Sequence, residues 1–349
     1  MKLNKTLLVV VFLLSLVLML QGKGDNLCLM AVGDIMPGTN YPSERYLPVG
    51  DGSGLVSHKV RGQLLGADIL CGNLEGCFLD AGEPSERKKG KFLFRIPEKL
   101  GSVLTFNGFD LLSLANNHAG DFGDEGRYNT QRVLDSLGIE YAGFLEKPAA
   151  IIEHDDYRVG FLALAPFRGC LSDWQRYFVE AIIDSLSLET DLIIASIHYG
   201  GEGEDFLHIK NEDEIYMGEN RGNPVAVAHW LVDCGVDLIN GHGPHVPRAM
   251  ELYKGRLIAY SLGNFITWGR FYLEGEYRPL APVLQVYYDK EGNFIYGNII
   301  SCRQNYEQGV DIDADRKAAQ VLQELSETDF PGTKLRFLVD KRGFWFYGI

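Results

Sequence analysis

Residues 234–265 read CGVDLINGHGPHVPRAMELYKGRLIAYSLGNF, and this stretch decides the fold. A helix over Ala226 to Cys234 is stopped by Gly235; VDLIN then forms a buried strand, a turn carries His242 and His245, and RLIAYSLGNF forms a second strand. An apolar run of this length between glycines fits a strand covered on both faces, as in a parallel sheet. His242 then emerges just past the strand's carboxyl end, the edge where open α/β sheets place their ligands.

Two histidines cannot hold a metal alone, but other strands end the same way. LCLMAVGD ends in Asp34; ADILCGNLEG ends in Asn73 and Glu75; FDLLSLANNH ends in Asn116, Asn117 and His118; TDLIIASIHYGGE ends in His198 and Glu202. In one sheet system these polar turns converge on one rim. A single GD or NLE turn is ordinary loop chemistry. The same polar ending, repeated on the same kind of strand, is not what packing requires.

Asp34, Asn73, Glu75, Asn117, His198, His242 and His245 are thus candidate metal ligands. Oxygen donors mixed with imidazoles suit Mn, Fe or Zn better than Mg or Ca. So many donors exceed one tetrahedral ion and suit two divalent ions, a site for hydrolysis. His118 is the candidate proton donor to a leaving group, with Asn117 beside it on the metal. Asn116, Glu202, Arg248 and Asn264 are candidate substrate contacts, the bland alternatives being a turn cap for Asn264 and a surface ion pair for Arg248. His154 and His208 read as surface residues and His229 as packed on the sheet.

A chain of 349 residues, 46% hydrophobic, buries a large core and suits one α/β domain with a small addition. Its 33 Lys plus Arg against 47 Asp plus Glu give a net charge of −14, which argues against nucleic acid as a partner. The only basic cluster, Arg87, Lys88, Lys89 and Lys91, reads as a solvated loop. Lys2 and Lys5 precede an apolar run from Leu7 to Leu20, the length of a signal-peptide core and short of the roughly 20 residues of a membrane span. Residues 1–26 are therefore a signal peptide or a membrane anchor, with the body outside the membrane. The six cysteines read as buried small hydrophobes, with a Cys71–Cys77 bridge around GNLEG as the alternative.

Strand and helix alternate over the first 260 residues, with strand-rich ends, which argues for a layered α/β sandwich. Glu202 to Asn223 reads as a long polar active-site loop, Ala314 to Glu327 as a helix, and the terminal FPGTKLRFLVDKRGFWFYGI as a pair of short strands.

GD, GNLEG, LANNHAGDFG, HYGGE and the block RGNPVAVAHWLVDCGVDLINGHGPHVPRAMELYKGRLIAYSLGNF resemble, in order, the motifs of the CapA family of poly-gamma-glutamate capsule biosynthesis proteins. That family is similar in fold to the calcineurin-like metallophosphoesterases. The resemblance covers about Leu27 to Thr267 and implies a four-layer α/β/β/α sandwich over 27–300, with extra strands and a helix in a C-terminal extension, 301–349, packed on the same domain. It further implies a dinuclear-type metal site and a role in capsule polymer assembly or export. The partners implied are poly-gamma-glutamate or another envelope polymer and membrane synthase subunits. Two functions follow: a metal-dependent hydrolase of phosphoester or amide bonds, or a non-catalytic envelope component that guides an anionic polymer. The chain departs from the metallophosphoesterase pattern at Met36, which stands where a ligand histidine is usual, and at Asn73 and Glu75, where an aspartate is usual.

Overall fold

The computed structural model describes residues 26–86, 92–271, 273–306 and 308–349; the leader and the basic cluster at 87–91 lie outside them. Two large sheets face each other. The first has nine strands, in the order Leu335–Val339, Phe344–Gly348, Phe294–Ile300, Val283–Tyr288, Leu27–Met36, Ile69–Leu74, Leu111–Ser113 and Glu140–Ala142, with Asn264–Thr267 alongside the end of Leu27–Met36. The second has six: Met250–Tyr253, Arg256–Ala259, Leu238–His242, Leu192–His198, Tyr157–Leu164 and Ala149–His154.

Residue alternation sets the layers. Along Tyr157–Leu164, Val159, Phe161 and Ala163 point into the core shared with the first sheet, while Leu162 and Leu164 join a separate core with Val179 and Ile183 of the helix Arg176–Ser187 and Ala228 and Leu231 of the helix Pro224–Asp233. The same period-two split runs through Leu192–His198, with Ile194 inward and Ile193 and Ala195 outward. The helices His58–Leu64, Ser102–Phe106 and Gly123–Leu137 bury Val60, Leu64, Val103, Leu104, Val133 and Leu134 in the core of the first sheet. The result is a four-layer α/β/β/α sandwich. Its C-terminal part is integral to it: the last two strands extend the first sheet, and the helix Lys317–Asp329 is tied to the second by Ser326 Oγ, which accepts from Met250 N at 2.8 Å.

Helix and hairpin limits follow local chemistry. Asn223 caps Pro224–Asp233 through Ala226 N, with proline in the first turn. Gly138 at φ +69° closes Gly123–Leu137. All six cysteines are free, five of them buried, and Cys71 and Cys77 are not bridged. Among the described residues no helix is long and apolar enough to cross a membrane.

One expectation fails in an informative way. RLIAYSLGNF is not one strand: Arg256–Ala259 belongs to the second sheet, and Asn264–Thr267 crosses to the first, where Asn264 pairs in register with Asp34. The crossing turns at Gly263, φ +64°, whose carbonyl accepts from Asp34 N at 2.9 Å. Gly33 makes this approach feasible, since a Cβ there would lie 1.9 Å from Gly263 O.

All parallel strands of both sheets end on one rim. Asp34 is in register with Asn73, and His198 with His242, so four of the polar strand ends are fixed by backbone pairing before any side chain interacts. Gly33→Ala is expected to destabilise the fold by about 1–3 kcal/mol through overpacking. Gly54→Ala, with open space around it, is expected to leave stability unchanged. Thermal unfolding of both variants measures this.

Candidate metal centre

Asp34 is the hub of the rim. It is fully buried; Asn73 Nδ2 donates to its Oδ1 at 2.9 Å, and His245 Nδ1 lies 2.9 Å from its Oδ2. His242 Nδ1 lies 3.4 Å from Oδ1 but lacks the alignment of a hydrogen bond. Glu75 sits alongside, with Oε1 3.6 Å from His245 Nε2 and 3.8 Å from His118 Nε2. Asp34, Glu75 and His198 each offer a donor atom within 4.8 Å of the others. Residues from five strand ends, far apart in sequence, therefore meet.

Electrostatics divide the donors. Burial raises the Asp34 carboxyl, but the hydrogen bond from His245 and the nearness of the His242 and His245 imidazoles outweigh it and hold the group well below the usual carboxylate range. Burial pushes Glu75 well up, and the Asp34, Glu202 and Asp121 carboxylates add to the rise against the pull of His245. Burial also holds His198 well below its ordinary value. At His245 burial pulls downward, yet Glu75 and Asp34 push it up to about 10.

Both Glu75 oxygens, His198 Nε2 and His242 Nδ1 are buried without a hydrogen-bond partner. Each such group costs roughly 1–3 kcal/mol, more when charged. Four on facing side chains at one spot is an arrangement that a cation resolves, and the mixed carboxylate–imidazole set fits a divalent transition metal. The backbone carries strain here too: His245 has φ +59°, a left-handed conformation costing a non-glycine residue roughly 1–3 kcal/mol. Gly243, φ +111°, passes so close to His198 that a Cβ would lie 3.1 Å from its ring.

Supporting residues become visible only in three dimensions. Asn116, expected at the substrate, is instead enclosed: its Nδ2 donates to Asn73 Oδ1 and Leu74 O, and its Oδ1 accepts from His118 N. It locks Asn73 and His118 in place. Arg248, also expected at the substrate, is fully buried and grips Glu214 with two bonds, 3.1 and 2.7 Å, while donating to His208 O. Asn264 is buried beside Asp34 and donates to the carbonyls of His245 and Arg278. Asn117 Nδ2 faces Glu202 Oε1 at 3.4 Å, and Glu202 pairs with Arg221, a residue the strand-end pattern does not reveal. Three further histidines lie against carboxylates: His208 against Asp329, His229 against Glu251 and His154 against Asp68.

His118 is held differently from the rest. Asp121 Oδ2 lies 2.8 Å from its Nδ1, and the Phe94 ring covers it at 4.1 Å between centroids. A carboxylate on Nδ1 fixes the proton there and leaves Nε2 facing Glu75.

Residues 28–268 match the family described as Bacterial capsule synthesis protein PGA_cap. The chain belongs to this family. It is 27% identical over 266 residues to the capsule biosynthesis protein CapA of Bacillus anthracis, covering 70% of this chain and 60% of that one. The PGA biosynthesis protein CapA of Bacillus subtilis is 27% identical over 284 residues, 74% of this chain and 70% of that one. The chain thus spans about 60% of the length of the Bacillus anthracis relative. Among solved structures, a 5'-nucleotidase precursor from Thermus thermophilus is similar at 12% identity and TM-score 0.44, over 87% of this chain and 59% of that one. Within the family region lie all the candidate metal-holding residues, from Asp34 to His245.

Arg248→Met leaves Glu214 buried with Gly201 N as a donor but without its cation, so a loss of roughly 3–5 kcal/mol is expected. Adding Glu214→Gln to Arg248→Met is expected to restore part of it. A double-mutant cycle by denaturant unfolding checks both.

Proposed function

We propose that this member of the capsule synthesis family is a metal-dependent hydrolase acting outside the cytoplasmic membrane on a phosphoester or on an amide such as a γ-glutamyl linkage. The observation that carries the reading is the set of buried atoms without a hydrogen bond, both Glu75 oxygens, His198 Nε2 and His242 Nδ1, around the Asp34 hub. Asp34, Asn73, Glu75, His198, His242 and His245 would hold two divalent ions, with Asn117 at the edge. Such ions supply Lewis acidity toward a phosphoryl or carbonyl oxygen and hydroxide at neutral pH.

The chain's own groups do the rest. Asp121 orients His118 through Nδ1, and in its doubly protonated form His118 would pass the Nε2 proton to the departing oxygen or nitrogen, leaving the neutral ring with its proton on Nδ1. Phe94 and Phe271, stacked at 4.8 Å, wall the site between His118 and His245 and exclude water. Asn116 keeps Asn73 and the His118 backbone in position.

One observation favours a second reading, a non-catalytic component that guides an anionic envelope polymer beside membrane synthase subunits. Met36, where a ligand histidine is usual, is packed in the hydrophobic core, so that position gives no ligand. Localisation outside the membrane rests on the apolar leader; recovery of the full chain only from the cytosol would contradict it.

Elemental analysis of the full chain is expected to find about two metal ions per chain. Asp34→Ala and Glu75→Gln are expected to lose most of them, while His118→Ala keeps them and loses roughly 10²–10⁴-fold in kcat on phosphoesters or γ-glutamyl peptides. Metal retained without hydrolysis of any of these favours the guiding role; a metal-free native chain sinks both readings.

Metal uptake is also expected to release protons. Glu75 is raised well above the usual carboxylate range and its neighbour His245 is pushed up to about 10, so the pair retains a proton at pH 7 that a metal displaces. Calorimetric titration in two buffers of different ionisation enthalpy measures it; identical heats contradict the assignment.

A further inference from the structure

Arg221 belongs to none of the metal-holding strand ends, yet it is 7% exposed and sits at the base of the short hairpin formed by Ile215–Tyr216 and Glu219–Asn220. Its backbone is fixed on both sides: Arg221 N donates to Glu214 O at 2.8 Å, and Gly200 N donates to Arg221 O at 2.9 Å. The guanidinium lies 5.1 Å from the centroid of Phe167 and 5.3 Å from that of Tyr216. Phe167 also meets the His198 ring, 6.0 Å between centroids. One aromatic side chain therefore touches both this cation and a candidate metal ligand.

The polar contacts of the guanidinium are specific. Nη1 lies 3.2 Å from Glu202 Oε1, an oxygen that also accepts from Asn117 Nδ2 at 3.4 Å. Nη2 lies 3.4 Å from Glu219 Oε2, on a half-exposed side chain. Nε is buried and has no partner. A buried guanidinium with an unfilled N–H is costly, and its planar fork matches a carboxylate or phosphate. Glu202 Oε1 marks a point where an anionic oxygen is satisfied by two donors at once, beside the metal centre.

We propose that Arg221 is an oxyanion subsite that takes a carboxylate or phosphate group of the substrate, with Glu202 as the internal carboxylate holding that position until substrate arrives. This deepens the hydrolase reading, on which it rests for the identity of the reacting bond, by naming the charged group beside that bond. A chain of net charge −14 repels anions overall, so a fixed cation at the site is what admits them. A second guanidinium lies beside the residue that follows Glu202: Arg278 Nη2 is so close to Gly203 that a Cβ there would lie 2.5 Å away. Competition between Glu202 and substrate makes the two residues act in opposite directions. A guanidinium that only braces the hairpin would not produce that opposition.

The test is calorimetric binding to the full chain, metal-free and manganese-loaded, with inorganic phosphate and γ-glutamylglutamate as separate probes. Charge-assisted hydrogen bonds contribute roughly 1.5–3 kcal/mol, so Arg221→Gln is expected to raise Kd at least about tenfold for one probe, and the probe that responds identifies phosphate or carboxylate as the group. Glu202→Gln is expected to lower Kd for the same probe. Arg221→Lys, which keeps the charge and loses the fork, is expected to weaken binding as well and carries the test if Arg221→Gln unfolds. Wild-type protein that binds neither probe, Arg221 variants that bind like wild type, or a Glu202→Gln variant that binds more weakly overturns the proposal. Elemental analysis of each variant separates this from the hydrolase reading: a native chain without metal sinks the latter while the metal-free binding data still decide the role of Arg221.

Discussion

The structure depends on one ionised carboxylate kept out of water. Asp34 lies two residues before the end of the central strand of the first sheet, is fully buried, and is compensated by His242 and His245, which the second sheet and the turn after it supply. An uncompensated buried charge costs several kcal/mol, so the two sheets are joined at this rim by more than apolar packing. The backbone serves the same end. Gly33 and Gly263 approach closely enough for Asp34 N to donate to Gly263 O, and the crossing strand then sets Asn264 beside Asp34. Hydrogen bonds from Asn264 to the His245 carbonyl extend the brace to the strained turn.

Around that hub the fold accepts costs it has no structural reason to accept. Glu75 is buried with neither oxygen hydrogen-bonded, His198 is buried with no hydrogen bond at Nε2, and His245 is held in a left-handed conformation. Strain and orphaned polar groups concentrated at one place are the mark of a site whose ligand completes it. Other polar groups pair within the protein: Arg248 with Glu214, His229 with Glu251, and Asp313, which accepts from Lys317 N at the start of the last long helix.

Much of this was legible in the chain itself. Apolar runs ending in Asp, Asn, Glu or His announce buried parallel strands with a polar rim, and register pairing of Asp34 with Asn73 and of His198 with His242 realises that pattern. What local pattern could not reveal depends on long-range geometry. RLIAYSLGNF has the composition of one strand, and only the turn at Gly263 divides it between two sheets. Asn116 and Arg248 carry the polarity of substrate contacts, but which way each side chain points is set by partners 42 and 34 residues away, Leu74 and Glu214. Arg221 lay hidden in an acidic loop because nothing in its neighbours says that Phe167 and Glu202 will enclose it.

The central claim is positional: donors from separate strand ends of two sheets enclose metal. Anomalous X-ray scattering from crystals of the full chain grown with manganese tests it most directly. The account predicts anomalous density bounded by Asp34, Glu75, His198 and His242. Density only elsewhere, or none at saturating manganese with Glu75 and His198 still unliganded, would contradict it.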